Sequence, residues 1–439
     1  MSVVAEVRMW GTTIGAVSLA DGEDVALFEY APEFLGSGIE PSPLRMPLSR
    51  RVYRFPELPY RTFHGLPGML SDSLPDRFGN ALIDAWLARQ GRGPDSFNAL
   101  ERLCYTGVRG MGALEFLPAR GPEAKESQKL EIDQLVKLAS DVLSQRDELR
   151  VKLSDDQADA ALNQILRVGT SAGGARAKAV IAWNPLTNEV RSGQLTVPGG
   201  FEYWLLKFDG VSSNRDKELD DPKGFGSIEY AYYLMAKAAG ITMTECRLFE
   251  ENGRRHFMTR RFDRLSGGGK LHVQSFGALA HFDFNAAGAH GYEEAFMAIR
   301  SLGLKATDAE ELFRRMVFNV LARNQDDHVK NIAFIMDRRG EWSLSPAFDV
   351  TYSYQPAGLW TGTHQMSVNG LRDGFAWDDL KAVAVNAGLK RGRAESIFAQ
   401  VRDALSRWRD FSDAATVPEA QSEKIRETFR TLPFNRREV

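Results

Sequence analysis

Cysteine is nearly missing from this sequence: two occur in 439 residues, Cys104 and Cys246, far apart. That excludes a disulfide-stapled framework and points to a reducing compartment. A surplus of charge of one sign is missing as well. Acidic residues number 58 and basic residues 55, for a formal net charge of -3. Such a balance argues against a chain built mainly to coat nucleic acid, while leaving room for a local basic patch. No apolar run approaches the roughly 20 residues that cross a bilayer. The start, MSVVAEVRMWGTTIGAV, has neither the basic leader nor the apolar core of a signal peptide. A soluble cytoplasmic protein without membrane contact is expected. Internal repeats and low-complexity tracts are absent, and no Gly-Lys-Ser/Thr opens a helix, so a Walker-type phosphate loop is excluded.

What is present is ordinary globular material, 43% hydrophobic and 26% charged, in a chain too long for one core. Three units are expected, 1–120, 121–265 and 266–439. The first hundred residues alternate β-formers with turn residues, as in VAEVRMWGTTIGAVSLADGEDVALFEY, and read as a strand meander. A helix follows from about Arg77, capped by Ser73 or Asp76, and SFNALERLCYT carries helical periodicity too. The polar stretch 120–134 reads as a linker. Beyond 161 the order becomes helix end, glycine turn, strand (AKAVIAW), strand (FEYWLLKFDG), helix (SIEYAYYLMAKAAGI) and strand (RRHFMTRRFDRL). In that helix Ile228, Tyr232, Met235 and Ala239 can share a face. After 265 helical pattern dominates. DAEELFRRMVFNVLARNQ places Phe313, Val317, Val320 and Leu321 on one side, with Leu312 and Met316 broadening the stripe. The tail, QSEKIRETFRTLPFNRREV, reads as a last helix with a basic, frayed end.

The densest polar cluster is LARNQDDHVKNIAFIM. Asp326 and Asn331 stand five positions apart between a buried helix and a strand. Asp349 follows beyond the turn DRRG and a second strand. Helix, polar loop, hairpin and aspartate form an arrangement suited to phosphoryl transfer. One carboxylate accepts the proton of the attacking hydroxyl, while an amide oxygen and a second carboxylate hold Mg²⁺ against the phosphates. Asp326, Asn331 and Asp349 fit those roles. His328 has no metal-ligand spacing to another histidine and is expected to brace the loop, with Lys330 turned toward the transferring phosphate. GTSAGGARAK, Gly169 to Lys178, is a glycine loop whose backbone can approach an anion. Lys207 ends a strongly apolar strand, where a lysine needs a partner. Glu229 is either that partner or an exposed carboxylate at a helix N-terminus, favoured by the dipole. Arg260, Arg261 and Phe262 either join two lobes around an adenine or form a solvated edge strand.

Taken together these segments resemble the HipA-type toxin kinases of bacterial toxin–antitoxin pairs. The resemblance runs over nearly the whole chain, through FEYAPEFL, LPDRFGN, RGMGALEFLP, SAGGARAK, LLKF, RRFDR, DDHVKN and FDV in that order. It implies an α+β fold: a two-lobed protein-kinase-like body with a mixed α/β amino-terminal lobe, an extra β-rich subdomain and an all-α carboxy-terminal lobe. It implies Asp326 as catalytic base, with Lys330 and His328 beside it, and Asn331 and Asp349 as Mg²⁺ ligands. Lys207 would lie on the ATP phosphates. Ala172, Gly173, Gly174, Ala175, Arg176, Ala177 and Lys178 would surround the nucleotide, with Arg260, Arg261 and Phe262 at the adenine hinge. Ser171 matches the serine at which such kinases phosphorylate and silence themselves, a plausible effect of a dianion placed on a phosphate loop. The partners implied are a HipB-like DNA-binding antitoxin, operator DNA through that antitoxin, and an aminoacyl-tRNA synthetase as substrate, so that translation halts and growth arrests. Two other readings stand beside this one. A small-molecule or lipid kinase would use the same parts, and a catalytically weak corepressor would serve mainly to assemble with the antitoxin. The segment GTHQMSVNGL around His364 is polar enough to belong to the site without showing a role.

Overall fold

The structure is a computed structural model and describes residues 3–120, 129–144, 165–166, 168–169, 176–194, 197–211, 224–265 and 267–431. Among the described residues three antiparallel sheets form its frame, and the first two can be traced to pattern in the sequence. The first comprises β1 (Val3–Met9), β2 (Thr12–Leu19), β3 (Leu27–Tyr30) and β4 (Leu114–Leu117), in the order β3-β2-β1-β4. Period-2 alternation sends Ala5, Val7 and Met9 inward from β1. Helix α1 (Arg77–Arg89) starts where Asp76 caps it, the carboxylate accepting from Gly79 N at 2.6 Å. Asp76, not Ser73, is therefore the cap.

The second sheet has five strands: β5 (Lys178–Trp183), β6 (Val190–Ser192), β7 (Glu202–Lys207), β8 (Cys246–Glu251) and β9 (Arg254–Arg260), ordered β6-β5-β7-β9-β8. All six residues of β5 are buried, which explains an apolar run without alternation. Helix α2 (Phe225–Ala238) crosses this sheet, and Ile228, Tyr232, Met235 and Ala239 are buried together. Gly226 lets it come that close, because a Cβ there would sit 2.4 Å from the Arg255 carbonyl oxygen. Cys104 and Cys246 are both buried and free.

The carboxy-terminal half is built on α3 (Ala306–Leu321), whose Leu312, Phe313, Met316, Val317, Val320 and Leu321 are all buried. It packs against α4 (Arg393–Ser406). The carboxy-terminal half is mainly helical but not all-α. A third sheet, β10 (His272–Ser275), β11 (Ala333–Met336) and β12 (Trp342–Leu344), runs through it in that order. The hairpin β11–β12 is local, whereas β10 pairs with β11 from some sixty residues earlier, Ser275 opposite Ala333. Four residues are too few to carry a legible period. This sheet is also a platform for the amino-terminal subdomain: the Trp342 indole donates to Glu40 O at 3.2 Å and His272 Nε2 lies 2.9 Å from Pro41 O. Among the described residues no helix is long and apolar enough to cross a membrane.

A second tie joins the amino-terminal subdomain to the rest through two of the sequence segments singled out above. Asp263, fully buried, accepts from Arg261 at 2.8 and 2.6 Å, from Arg264 at 2.5 Å and from the backbone N of Gly112 at 2.7 Å. Burial alone would raise the carboxyl's pKa, but the two guanidiniums more than offset that and hold it at about 2. A depressed pKa means the contribution to stability is present above about pH 4 and lost as pH falls through about 2. Asp263→Asn strands two buried guanidiniums. It should cost on the order of 3–5 kcal/mol in urea unfolding and remove that acid-range dependence. A loss below about 1 kcal/mol would show that the arginines find other partners.

Candidate functional site

The polar loop after α3 is shaped by backbone contacts before any side chain acts. The helix ends at Leu321, Arg323 takes a left-handed turn (φ 58°), and the loop is clamped where Gly277 N donates to Val329 O at 3.0 Å and Phe276 N to Ile332 O at 2.7 Å. In this loop Asn331 Nδ2 donates to the Asp326 carbonyl at 2.8 Å. That bond fixes the amide's orientation and leaves its Oδ1 free to face a ligand. The Asp326 side chain is a third exposed. Its Oδ1 accepts from the Trp360 indole at 2.6 Å and lies 3.9 Å from His328 Nε2. Burial pushes the Asp326 pKa up; His328 and Trp360 pull against it, while the charges of Asp349 and Asp327 add to it. A carboxyl shifted upward by its surroundings suits a proton acceptor.

Asp349 sits at φ 56°, a backbone conformation that few side chains other than Asn, Asp and Gly adopt. It is joined to Lys207 by an ion pair, and Lys207 Nζ is 2.5 Å from Glu229 Oε1. Glu229 is 1% exposed, so it is the lysine's partner and not a solvated helix-end carboxylate. Burial would lower the Lys207 pKa, yet Asp349 and Glu229 raise it above the ordinary lysine value. The Asp349 carboxyl is held well below the usual carboxylate range, since Lys207 and Lys178 more than offset its burial.

The strand register explains why so many charges gather here. Lys178 and Lys207 stand directly opposite each other across β5 and β7, and opposed like charges are destabilising. Each is buried and each needs its own anion. Lys207 has Glu229 and Asp349. Lys178 Nζ lies 3.5 Å from Asp76 Oδ2, the same aspartate that caps α1. Burial pushes Asp76 up to about 6 despite that lysine, and pushes Lys178 down. Arg176 completes the cluster, 3.3 Å from Glu229 Oε2 and stacked 4.2 Å over the Phe225 ring.

The expected site residues therefore divide into groups. Lys178, Lys207, Glu229, Asp349 and Arg176 meet in one charged cluster. Asp326, His328 and Asn331 share the adjoining loop, and Asn331 and Asp349 line one pocket with Asp327 and Asn324. Lys330 lies with Nζ 4.5 Å above the Phe284 ring. At the expected hinge, Arg260 is exposed and 3.5 Å from Glu202, while Arg261 is taken up by Asp263. The Phe262 ring lies 5.8 Å from that of Phe348, the chain neighbour of Asp349. Ala177 is buried beside β5. Ser171, Ala172, Gly173, Gly174 and Ala175 lie outside the described residues.

A brace invisible in sequence lies behind the loop. Buried Asp327 accepts from Tyr292 OH at 2.9 Å and Gln365 N at 2.9 Å, and its Oδ2 is 2.8 Å from His364 Nδ1. Arg430 Nη1 sits 2.7 Å from His364 Nε2. Arginine only donates, so Nε2 accepts and Nδ1 carries the proton toward Asp327. His364 thus links the polar loop to the segment that follows the last helix.

Asn331 and Asp349 fit a Mg²⁺ site on donor chemistry: one amide oxygen and one carboxylate, both hard ligands. Among the described residues no three His, Cys, Asp or Glu gather to hold a metal. Such a cluster is not needed for an ion that keeps waters and phosphate oxygens in its shell.

Comparison with known proteins bears on the family and the fold. The family model of the HipA-like C-terminal domain matches residues 170–408, and that of the HipA N-terminal domain matches residues 5–117. The Sinorhizobium fredii (strain NBRC 101917 / NGR234) protein named "Putative kinase Y4dM" is 25% identical over 276 residues, 57% of this chain and 62% of that protein. The chain thus spans less than two thirds of that relative. Among solved structures, the Shewanella oneidensis MR-1 toxin–antitoxin complex of HipA, HipB and operator DNA matches with a TM-score of 0.66 at 15% identity. It covers 96% of this chain and 94% of that one. At that identity the match shows a shared fold.

Proposed function

The chain belongs to the HipA family, and we propose from that premise that it is an ATP- and Mg²⁺-dependent serine/threonine protein kinase, the toxin of a toxin–antitoxin pair. We read it as three units, 1–120, 121–265 and 266–439, the second carrying the nucleotide and the third the catalytic loop. The observation that carries the reading is the position of Lys207, ion-paired at once to Glu229 on α2 and to Asp349 beyond the hairpin. A lysine on the central strand, tethered by a helix glutamate and facing a metal-type aspartate, is what grips nucleotide phosphates in kinases.

The chemistry assigned to the site balances simply. A substrate hydroxyl oxygen bonds to the γ-phosphorus as the bond to the β–γ bridging oxygen breaks and ADP departs. The hydroxyl proton passes to Asp326. Lys207 holds the α- and β-phosphates in place, and Lys330 stands near the transferring group. Mg²⁺, when bound by Asn331 and Asp349, supplies charge neutralisation on the phosphates. Ser171 is the proposed site of self-phosphorylation, and a second dianion on that loop would repel ATP.

The wider role follows the family. The Shewanella structure holds HipA with HipB and operator DNA, and a HipB-like DNA-binding antitoxin is the proposed partner here, with operator DNA engaged through it. The proposed substrate is an aminoacyl-tRNA synthetase in the cytoplasm. Mass spectrometry of the purified chain after incubation with Mg²⁺–ATP is the direct test. One phosphate is expected on Ser171, and new phosphoserine or phosphothreonine peptides on adding a lysate. A chain that transfers no phosphate to itself or to any lysate protein would refute the kinase reading.

A further inference from the structure

Asp326 has two carboxylate oxygens, and the structure treats them differently. Oδ1 accepts from the Trp360 indole at 2.6 Å and lies 3.9 Å from His328 Nε2. Among the described residues no hydrogen-bond donor reaches Oδ2. Trp360 belongs to the segment after Asp349, and it is held from behind: Gln365 Nε2 donates to its carbonyl oxygen, and Gln365 N donates to Asp327 Oδ1 at 2.9 Å. Asp326, Trp360, Gln365 and Asp327 thus form a closed ring of contacts, and its last member is the chain neighbour of its first. Asp327 is anchored in turn by Tyr292 and His364.

We propose that Trp360 is the positioning residue for the catalytic base: its indole N–H holds Oδ1 of Asp326 so that Oδ2 faces the substrate hydroxyl. The inference rests on the kinase reading above. The physical case is that a lone carboxylate on a loop can rotate about its side-chain bonds, while an N–H bonded to one oxygen selects a single rotamer and exposes one lone-pair set. The ring of contacts carries that constraint into the core through Asp327, so the base is fixed by residues on both sides.

The test is a comparison of wild type, Trp360→Phe and Asp326→Asn, read by the pH profile of phosphoryl transfer. Phenylalanine keeps a planar aromatic ring and removes the donor. In Trp360→Phe, kcat is expected to fall about tenfold with the KM for ATP unchanged. The acid limb of the profile should move to higher pH, because the indole N–H no longer favours the ionised base. A structural role alone would lower both parameters or neither, and would leave the limb in place. An unmoved limb with full kcat overturns the proposal. A second measurement covers a variant that fails to fold: the indole N–H resonance of Trp360 in the wild type should shift as Asp326 titrates, and should be insensitive to pH in Asp326→Asn. An indole signal that ignores pH in the wild type also overturns it. Retained transfer by Asp326→Asn would sink the kinase assignment of that residue instead, which keeps the two failures apart.

Discussion

Asp326→Asn is expected to leave the fold and ATP affinity unchanged and to lower phosphoryl transfer by about 10²–10⁴-fold. The size follows from what the substitution keeps. Asparagine retains an oxygen at the place of Oδ1, so the Trp360 indole still has an acceptor, and the Asn331 bond runs to the backbone carbonyl and not to the side chain. The loop's geometry should therefore survive. Only the capacity to take a proton is lost. Asparagine is neutral, so the substitution creates no buried charge, and the melting temperature should stay within about a degree or two. The assay is transfer from radiolabelled ATP to the chain itself and to lysate proteins, with a melting curve for each variant. Undiminished transfer would remove Asp326 from the base role.

Much of this molecule is legible in its amino-acid sequence. The α3 stripe, the α2 face and the Asp76 cap are consequences of local spacing, and all three are seen in the fold. The cluster of polar residues between a helix and a strand draws attention to the candidate site for a physical reason: buried polar groups are costly unless paired. Other features depend on where distant strands fall. That Asp76 must also neutralise Lys178 becomes visible only once β5 and β7 are aligned and the two lysines face each other. Trp360 and Asp327 belong to the same class, since their partners lie 34 and 37 positions away. The strand β10 escapes because its four residues gain their identity from β11 and not from their own pattern.

Lys207→Met carries the other large effect, and its pH dependence is the informative part. Methionine is close in volume and tolerable beside an apolar strand, so packing should survive while the charge vanishes. Glu229 would keep only Arg176, at 3.3 Å, and Asp349 would lose its adjacent cation. Phosphoryl transfer should fall by about 10²–10³-fold, the scale for removing one preorganised group aimed at developing charge, and ATP affinity should fall with it. Stability should respond in a definite direction. In the wild type the Asp349 pKa is depressed below its unfolded value, so its stabilising contribution is complete above about pH 4 and disappears as pH falls through the depressed value. The variant loses the larger part of that contribution, the part from Lys207, and keeps only what Lys178 supplies. Glu229, whose pKa burial already raises, would also take up a proton more readily once the lysine is gone. The gap in melting temperature between wild type and variant must then be widest at neutral pH and narrow on acidification. Melting curves across that range decide the matter: a gap that stays constant, or widens toward acid, would mean that the lysine stabilises the fold through packing and not through its two carboxylates. Transfer at the wild-type rate would remove Lys207 from the phosphate-binding role, whatever the melting curves show.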